Sequence, residues 1–330
     1  MLDVEAYEAS YLKAMSFSDL YLEPDGQAWY KTSPSDRERH ALESGALEEA
    51  KSLREHLQIH TTGLDFRTEW HGVSLRVQRI ETLDGDVYVG RRLLPHPIAW
   101  DALGYPQRLS DQLMSETFSK GGLVLFSGGT GAGKSMSQAS WLVQRLCKFG
   151  GTGWTIENPV EIVLQGKHGS GKVVGTCYQT EIRNDAEFGP EIHRLLRAAP
   201  NMIMLGEIRT RDAVAQAIIA GTSGHLVSAT IHANNVATAL ERTKNMMRES
   251  GLDTSMMADA LSAVIHQRLT LTSSPTGERR IMLTVTPLII AGAQNETSIR
   301  VHLRKGDFSL LTSEIERQKR LIWVNDGGPI

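Results

Sequence analysis

The chain is 330 residues long, 41% hydrophobic and 22% charged, with a formal net charge of −3; it can bury substantial cores, and its length predicts about two domains. Its two cysteines, Cys147 and Cys177, form no C-x-x-C pair, so neither a zinc ribbon nor a disulfide framework is indicated, and a reducing compartment fits. No run approaches the ~18 apolar residues of a membrane span, the N-terminus carries three acids before its first lysine, and the basic clusters are short. A soluble, cytoplasmic protein without an electrostatic footprint for nucleic acid is expected.

The first hundred residues predict a small α+β unit. In "SDLYLEPDGQAWY", Leu20 and Leu22 share a face before an Asp25-Gly26 turn, a hairpin signal. In "SDRERHALESGALEEAKSLREHL", Ser35 and Glu38 have capping-box spacing, and Leu42, Ala46, Leu53 and Leu57 form an amphipathic stripe. Next, Val73, Leu75 and Val77 alternate with Ser74, Arg76 and Gln78; the chain turns at Asp84-Gly85 and returns through Val87 and Val89. This alternation places Arg76 and Arg92 away from the domain's core. Pro95, Pro97, Gly104 and Pro106 then punctuate the chain. The expected organisation is an N-terminal domain over residues 1–98, a linker over 99–110, and a second domain over 111–330.

From about residue 107, strand and helix signals alternate, which implies a parallel sheet with helices on its faces. The predicted strands are Leu123–Phe126, Trp154–Ile156, Met202–Leu205 and Leu226–Ile231. Between the first strand and a helix-like pattern lies "SGGTGAGKSM", which fits G-x-x-x-x-G-K-[ST]. Gly128, Gly129, Thr130, Gly131, Ala132 and Gly133 would turn backbone N–H groups around phosphates, Lys134 would reach the β/γ-phosphates, Ser135 would ligate Mg²⁺, and Met136 follows at the helix start. A second glycine-rich stretch, "GKHGSGKV" at 166–173, has Val173 where the hydroxyl is needed and no helix behind it; it predicts a hairpin or surface loop. Residues 253–321 predict helices around one strand pair, "RRIMLTVTPLII".

Ligands of parallel sheets bind beyond the carboxyl ends of the strands, which directs attention to three further stretches. "NMIMLGEIRT" ends a strand with Glu207, placed to hold Mg²⁺ through water. "WTIENPVEI" ends another with Glu157 and Glu161, either of which could orient a water for attack on the γ-phosphate; spacing alone does not choose between them. "GTSGHLVSATIHANN" sets His225 before and His232 after a strand, at its opposite ends, so they share no metal.

Together, "GGTGAGKS", "TIENPVE", "MIMLGEIR" and "GHLVSATIH" resemble, in order and spacing, the Walker A, acid-rich, Walker B and histidine boxes of the secretion ATPases that drive type II secretion, type IV pili and type IV conjugation. "SDLYL", "LDFRTEWHGVSLRVQRI" and "RRLLP" resemble that family's N-terminal domain; "VIHQRL" resembles its V-I-x-Q-R-L helix, and "SIRVHLRKGD" a helix of its pilus-retraction members. The resemblance implies an α/β architecture in which a RecA-like P-loop NTPase domain follows a smaller N-terminal domain of the per-arnt-sim kind. It further implies a homohexameric, ATP- and Mg²⁺-dependent motor working with inner-membrane platform proteins at the cytoplasmic face. By position it makes Glu161 the general base, Glu207 the Walker B acid, His225 and His232 γ-phosphate sensors, and Arg76, Arg79 and Arg92 candidate arginine fingers.

Four residues depart from the family pattern: Asn158 and Asn201 where Asp is usual, Thr210 for the Asp after the Walker B arginine, and Met136 after the loop serine. The chain also lacks the four-cysteine module usual in assembly-type members, which leaves retraction-type or conjugation- and effector-secretion-type motors. The expected function is ATP hydrolysis that powers such an apparatus. The alternatives are a nucleotide-gated scaffold with little turnover and a RecA-like DNA motor.

Overall fold

The computed structural model describes residues 10–33, 36–60, 63–273 and 279–324, without the side chains of 271–273 and 279–281. It divides into two compact units, Met1–Pro95 and His96–Ile330.

The first unit runs α1 (Tyr11–Ala14), β1 (Asp19–Leu22), β2 (Ala28–Lys31), β3 (His40–Ala41), α2 (Ser44–His60), β4 (Asp65–Trp70), β5 (Val73–Thr82) and β6 (Gly85–Arg92). Its strands form one sheet in the order β3-β2-β1-β6-β5-β4, every pairing antiparallel. Ala46, Ala50, Leu53 and Leu57 of α2 are buried with Leu20, Leu22, Val73, Leu75, Val77 and Tyr88 in one cluster, as expected of an amphipathic helix on a sheet. The helix begins at Ser44, later than the Ser35–Glu38 spacing predicts; Ser35 lies outside the described residues. Asp36 instead accepts from the Glu38 amide, and the chain first pairs β3 with β2.

The β5–β6 register corrects the predicted face of Arg92. Thr82 pairs with Gly85 across a two-residue loop, so odd positions of β5 face even positions of β6 and Leu75 pairs with Arg92. Tyr88 and Gly90 therefore point into the core, and Arg92 lies on their side. Val89 shares the outer face with Arg91, which pairs directly with Arg76.

The second unit begins with residues 96–106, which do not behave as a free linker. Trp100 is buried, donates through Nε1 to Ser110 Oγ (2.7 Å) and stacks on Tyr105. The Pro and Gly residues break regular structure there, and the two aromatics anchor the segment. α3 (Gln107–Leu113), β7 (Gly122–Gly128), α4 (Lys134–Phe149), β8 (Gly151–Glu157), β9 (Gly166–Ser170), β10 (Val173–Glu181), α5 (Phe188–Leu195), β11 (Met202–Glu207), α6 (Arg211–Thr222), β12 (Leu226–His232) and α7 (Val236–Glu249) follow. The unit ends with α8 (Met256–Ala260), β13 (Leu261–Ser273), β14 (Arg279–Ile289), α9 (Glu296–Lys305) and α10 (Thr312–Leu321).

The sheet order is β14-β13-β7-β12-β11-β8-β10-β9. β13, β7, β12, β11, β8 and β10 run parallel, and β14 and β9 close the edges antiparallel. All four predicted strands are in this parallel core. β7 is buried throughout, which is why it reads as an unbroken apolar run. "GKHGSGKV" is the β9–β10 hairpin. "VIHQRL" is not helical: it lies in β13, between β7 and β14 in the sheet, and Val264, Ile265 and Gln267 are buried.

Candidate active site

The parallel registers bring the motifs to one edge of the sheet. Gly128 of β7 pairs with His232 of β12, Thr230 of β12 with Glu207 of β11, and Glu157 of β8 with Glu181 of β10. All of these are carboxyl-terminal ends, where helices turn away and leave a crevice. The loop from Gly128 to Gly133 occupies that edge, and α4 opens at Lys134 and Ser135. Glycine is required at two of its positions. A Cβ on Gly128 would sit 2.5 Å from the Gln267 carbonyl oxygen, and Gly133 caps α4 with φ +80°. Lys134 Nζ donates to the carbonyls of Gly128 (3.1 Å) and Gly129 (2.9 Å). Met136 Sδ accepts from the Ile98 amide (3.2 Å).

Beside the loop is a pocket of about 400 Å³ lined by Gly129–Ala132, Ala233, Asn234 and the β13 residues His266, Gln267, Arg268 and Leu269. Gln267 donates to the Ala132 carbonyl (2.7 Å) and accepts from the Tyr105 hydroxyl (2.8 Å), tying the phosphate loop to the 96–106 segment. His266 Nδ1 lies 3.1 Å from Ser127 Oγ. Burial, and then the positive charges of Arg268 and Lys134, lower its pKa. These β13 residues went unassigned in the sequence. "VIHQRL" contains them, but the family resemblance implies a helix there, and the segment is strand β13.

Two acids act on the lysine through space. Burial lowers the Lys134 pKa, while the charges of Glu207 and Glu161 oppose that shift, so both carboxylates lie within electrostatic reach of the ammonium. Glu207 Oε2 accepts from Arg209 Nη2 (2.8 Å), which raises the Arg209 pKa. Glu157 is 5% exposed, and burial pushes its carboxyl up to about 7 against the hydrogen bonds donated by Thr155 (2.6 Å) and Gln179 (2.9 Å). Glu161 is exposed. The oxygen donors Ser135 and Glu207 suit a hard divalent cation. Among the described residues no group of three or more His, Cys, Asp or Glu side chains forms a protein-only metal site.

Four further candidates stand on other elements. His225 precedes β12, its carbonyl accepting from the Gly122 amide at the start of β7. At about 3.3 Å per residue along the strand it is roughly 20 Å from the loop, so it cannot touch a γ-phosphate bound there; the parallel direction of β7 and β12 rules it out and leaves His232. Arg76, Arg79 and Arg92 belong to the first unit. Arg76 makes a bidentate pair with Asp65 (3.0 and 2.6 Å), and Arg79 pairs with Asp86 (2.8 Å). Arg92 donates to the carbonyls of Leu12, Lys13 and Met15 at the end of α1 and lies over the Phe17 ring, so it anchors that helix to the sheet.

Two of the departures have local explanations. Thr210 caps α6 by accepting from the Ala213 amide, work that Asp also does. Asn201 accepts from Thr152 at the opposite end of the sheet (2.9 Å).

The sequence profile of the Type II/IV secretion system protein family matches residues 60–313. The type IV pilus ATPase PilU of Pseudomonas aeruginosa is 34% identical over 189 residues, 55% of this chain and 47% of that protein. The type IV pilus assembly ATPase PilB of the same organism is 28% identical over 269 residues, 76% of this chain and 45% of that protein. The chain thus spans about half the length of these two relatives. Among solved structures, the pilus retraction motor PilT with bound ADP matches with a TM-score of 0.71 at 23% identity, over 98% of this chain and 95% of that one. The Legionella pneumophila ATPase DotB matches with a TM-score of 0.70 at 19% identity, over 93% and 85%. Both likenesses concern the fold, a RecA-like α/β domain with a smaller N-terminal domain. With the profile spanning most of its length and the phosphate loop and acids gathered at one sheet edge, the chain belongs to the Type II/IV secretion system protein family.

Proposed function

We propose that this chain hydrolyses ATP as a subunit of a homohexameric motor that drives a type IV pilus or a related secretion apparatus from the cytoplasmic face of the inner membrane. The observation that carries the proposal is the convergence of the glycine loop, Lys134, Glu161 and Glu207 at the carboxyl edge of a parallel sheet. Support for the apparatus comes from the names of the relatives, PilU and PilB. In this reading the chain's partners are membrane-embedded platform proteins; no helix among the described residues is long and apolar enough to cross a membrane.

In this reading the loop amides and Lys134 hold the phosphates, and Glu161 orients a water and takes its proton as the γ-phosphoryl leaves. Ser135 directly and Glu207 through water would hold Mg²⁺, which when bound neutralises charge on the β- and γ-oxygens. His232, at the end of the strand beside the loop, is placed to sense the γ-phosphate.

The test is phosphate release by the purified chain with saturating ATP, with and without Mg²⁺ and with added single-stranded DNA. Turnover that needs Mg²⁺ and ignores DNA is expected. DNA-stimulated turnover would favour a nucleic-acid motor, and none under any condition would leave a scaffold.

A further inference from the structure

The loop that bears Glu161 is held by side chains of a different strand. After β8 the chain buries Val160, Ile162 and Leu164 and leaves Glu161 exposed between them. Such a loop would drift by the ångström that matters in catalysis unless its backbone were also fixed. Two residues of β10, Gln179 and Glu181, point to the same face by strand alternation and fix it from both sides of Glu161. Before Glu161, Glu181 Oε2 accepts from the Val160 amide (3.0 Å). After it, the Gln179 amide uses its whole capacity. Its oxygen accepts from the amides of Leu164 (2.5 Å) and Gln165 (2.9 Å), and its nitrogen donates to the Ile162 carbonyl (3.0 Å) and to Glu157 Oε1 (2.9 Å). The Gln179 backbone N–H donates in turn to Gln165 Oε1 (2.7 Å).

We infer that Gln179 and Glu181 are positioning residues for Glu161: by clamping residues 160 and 162–165 from β10, they hold the exposed carboxylate at a set height over the sheet edge. The inference rests on the reading of Glu161 as the base. It requires neither residue to touch nucleotide, so binding and turnover should separate. The phosphate loop lies on other strands and keeps its own contacts when the clamp is broken.

The experiment measures kcat, KM for Mg·ATP and thermal midpoint in Gln179→Leu, Glu181→Leu, Glu181→Gln and Glu161→Gln, and in Gln179→Leu combined with Glu161→Gln. Both leucine variants should lose at least about tenfold in kcat while KM stays within about twofold, since misplacement of a reacting group costs rate rather than phosphate contacts. Glu181→Gln keeps an oxygen for the Val160 amide and should restore most of kcat. With the base removed, Gln179→Leu should add less than about twofold, the non-additivity expected of groups that act as one. Native kcat in folded leucine variants, equal losses in Glu181→Gln and Glu181→Leu, or full additivity in the double variant would overturn the inference. If Gln179→Leu does not fold, the two Glu181 variants decide. An inactive Glu161→Gln beside fully active leucine variants would sink the clamp alone, whereas a fully active Glu161→Gln would sink the base and the clamp with it.

Discussion

Glu157 and Glu161 stand four residues apart in opposite surroundings, and the proposed reading gives them different work. Glu161 is exposed at the sheet edge within electrostatic reach of Lys134, whereas Glu157 is buried and held by Thr155 and Gln179. Glu161→Gln should therefore cut turnover by at least ~10²-fold with ATP affinity nearly unchanged, in the range of general-base catalysis. Glu157→Gln should lose less in the same assay, and the reverse order would move the base to Glu157. The buried acid has its own signature in stability. Its carboxyl is raised from 4.5 to about 7, so the folded chain binds more protons than the unfolded one between those values. The stability it contributes is fully present below pH 4.5 and is lost as pH rises through about 7. Glutamine copies the protonated form. The thermal midpoint of Glu157→Gln relative to native should thus climb between those pH values and level off above them, and a pH-independent difference would contradict the burial argument.

At the scale of elements, a two-residue loop decides what Arg92 does. By pairing odd positions of β5 with even ones of β6, it turns Arg92 inward to the end of α1 and leaves Arg76 and Arg91 outside. Arg92→Ala should cost about 1–3 kcal/mol, from lost hydrogen bonds between a charged group and carbonyls. It should lower the thermal midpoint while phosphate release per folded chain persists; lost turnover at unchanged stability would restore a finger role. The same contrast marks what could be read beforehand. The four predicted strands were legible because each is a short apolar run ending near a chemically loaded residue, and the glycine loop because its spacing follows from phosphate geometry; β10, which is also parallel, was not among them. β13 was not legible, since "VIHQRL" mixes apolar and polar residues without a clean period of two: Val264, Ile265 and Gln267 are buried, while Arg268 and Leu269 are exposed. The face of Arg92 was missed because Val87 and Val89 are apolar yet lie on the outer side. The clamp by Gln179 and Glu181 leaves no local trace: it exists only because β10 lies beside β8.

The whole molecule holds two separate apolar cores, one under the antiparallel sheet of the first unit and one around the mixed sheet of the second. The groups that would bind and cleave ATP all come from the second. The first carries Arg76, paired with Asp65, and Arg79, paired with Asp86; in the proposed reading both stay candidate arginine fingers. The central claim is that the loop beginning at Gly128 is the site of ATP turnover, and Lys134 tests it most directly. Phosphate release at saturating Mg·ATP should be abolished in Lys134→Ala, with ATP binding weakened, because the substitution removes the cation that faces the β/γ-phosphates. Turnover by a folded Lys134→Ala chain at the native rate would contradict the account.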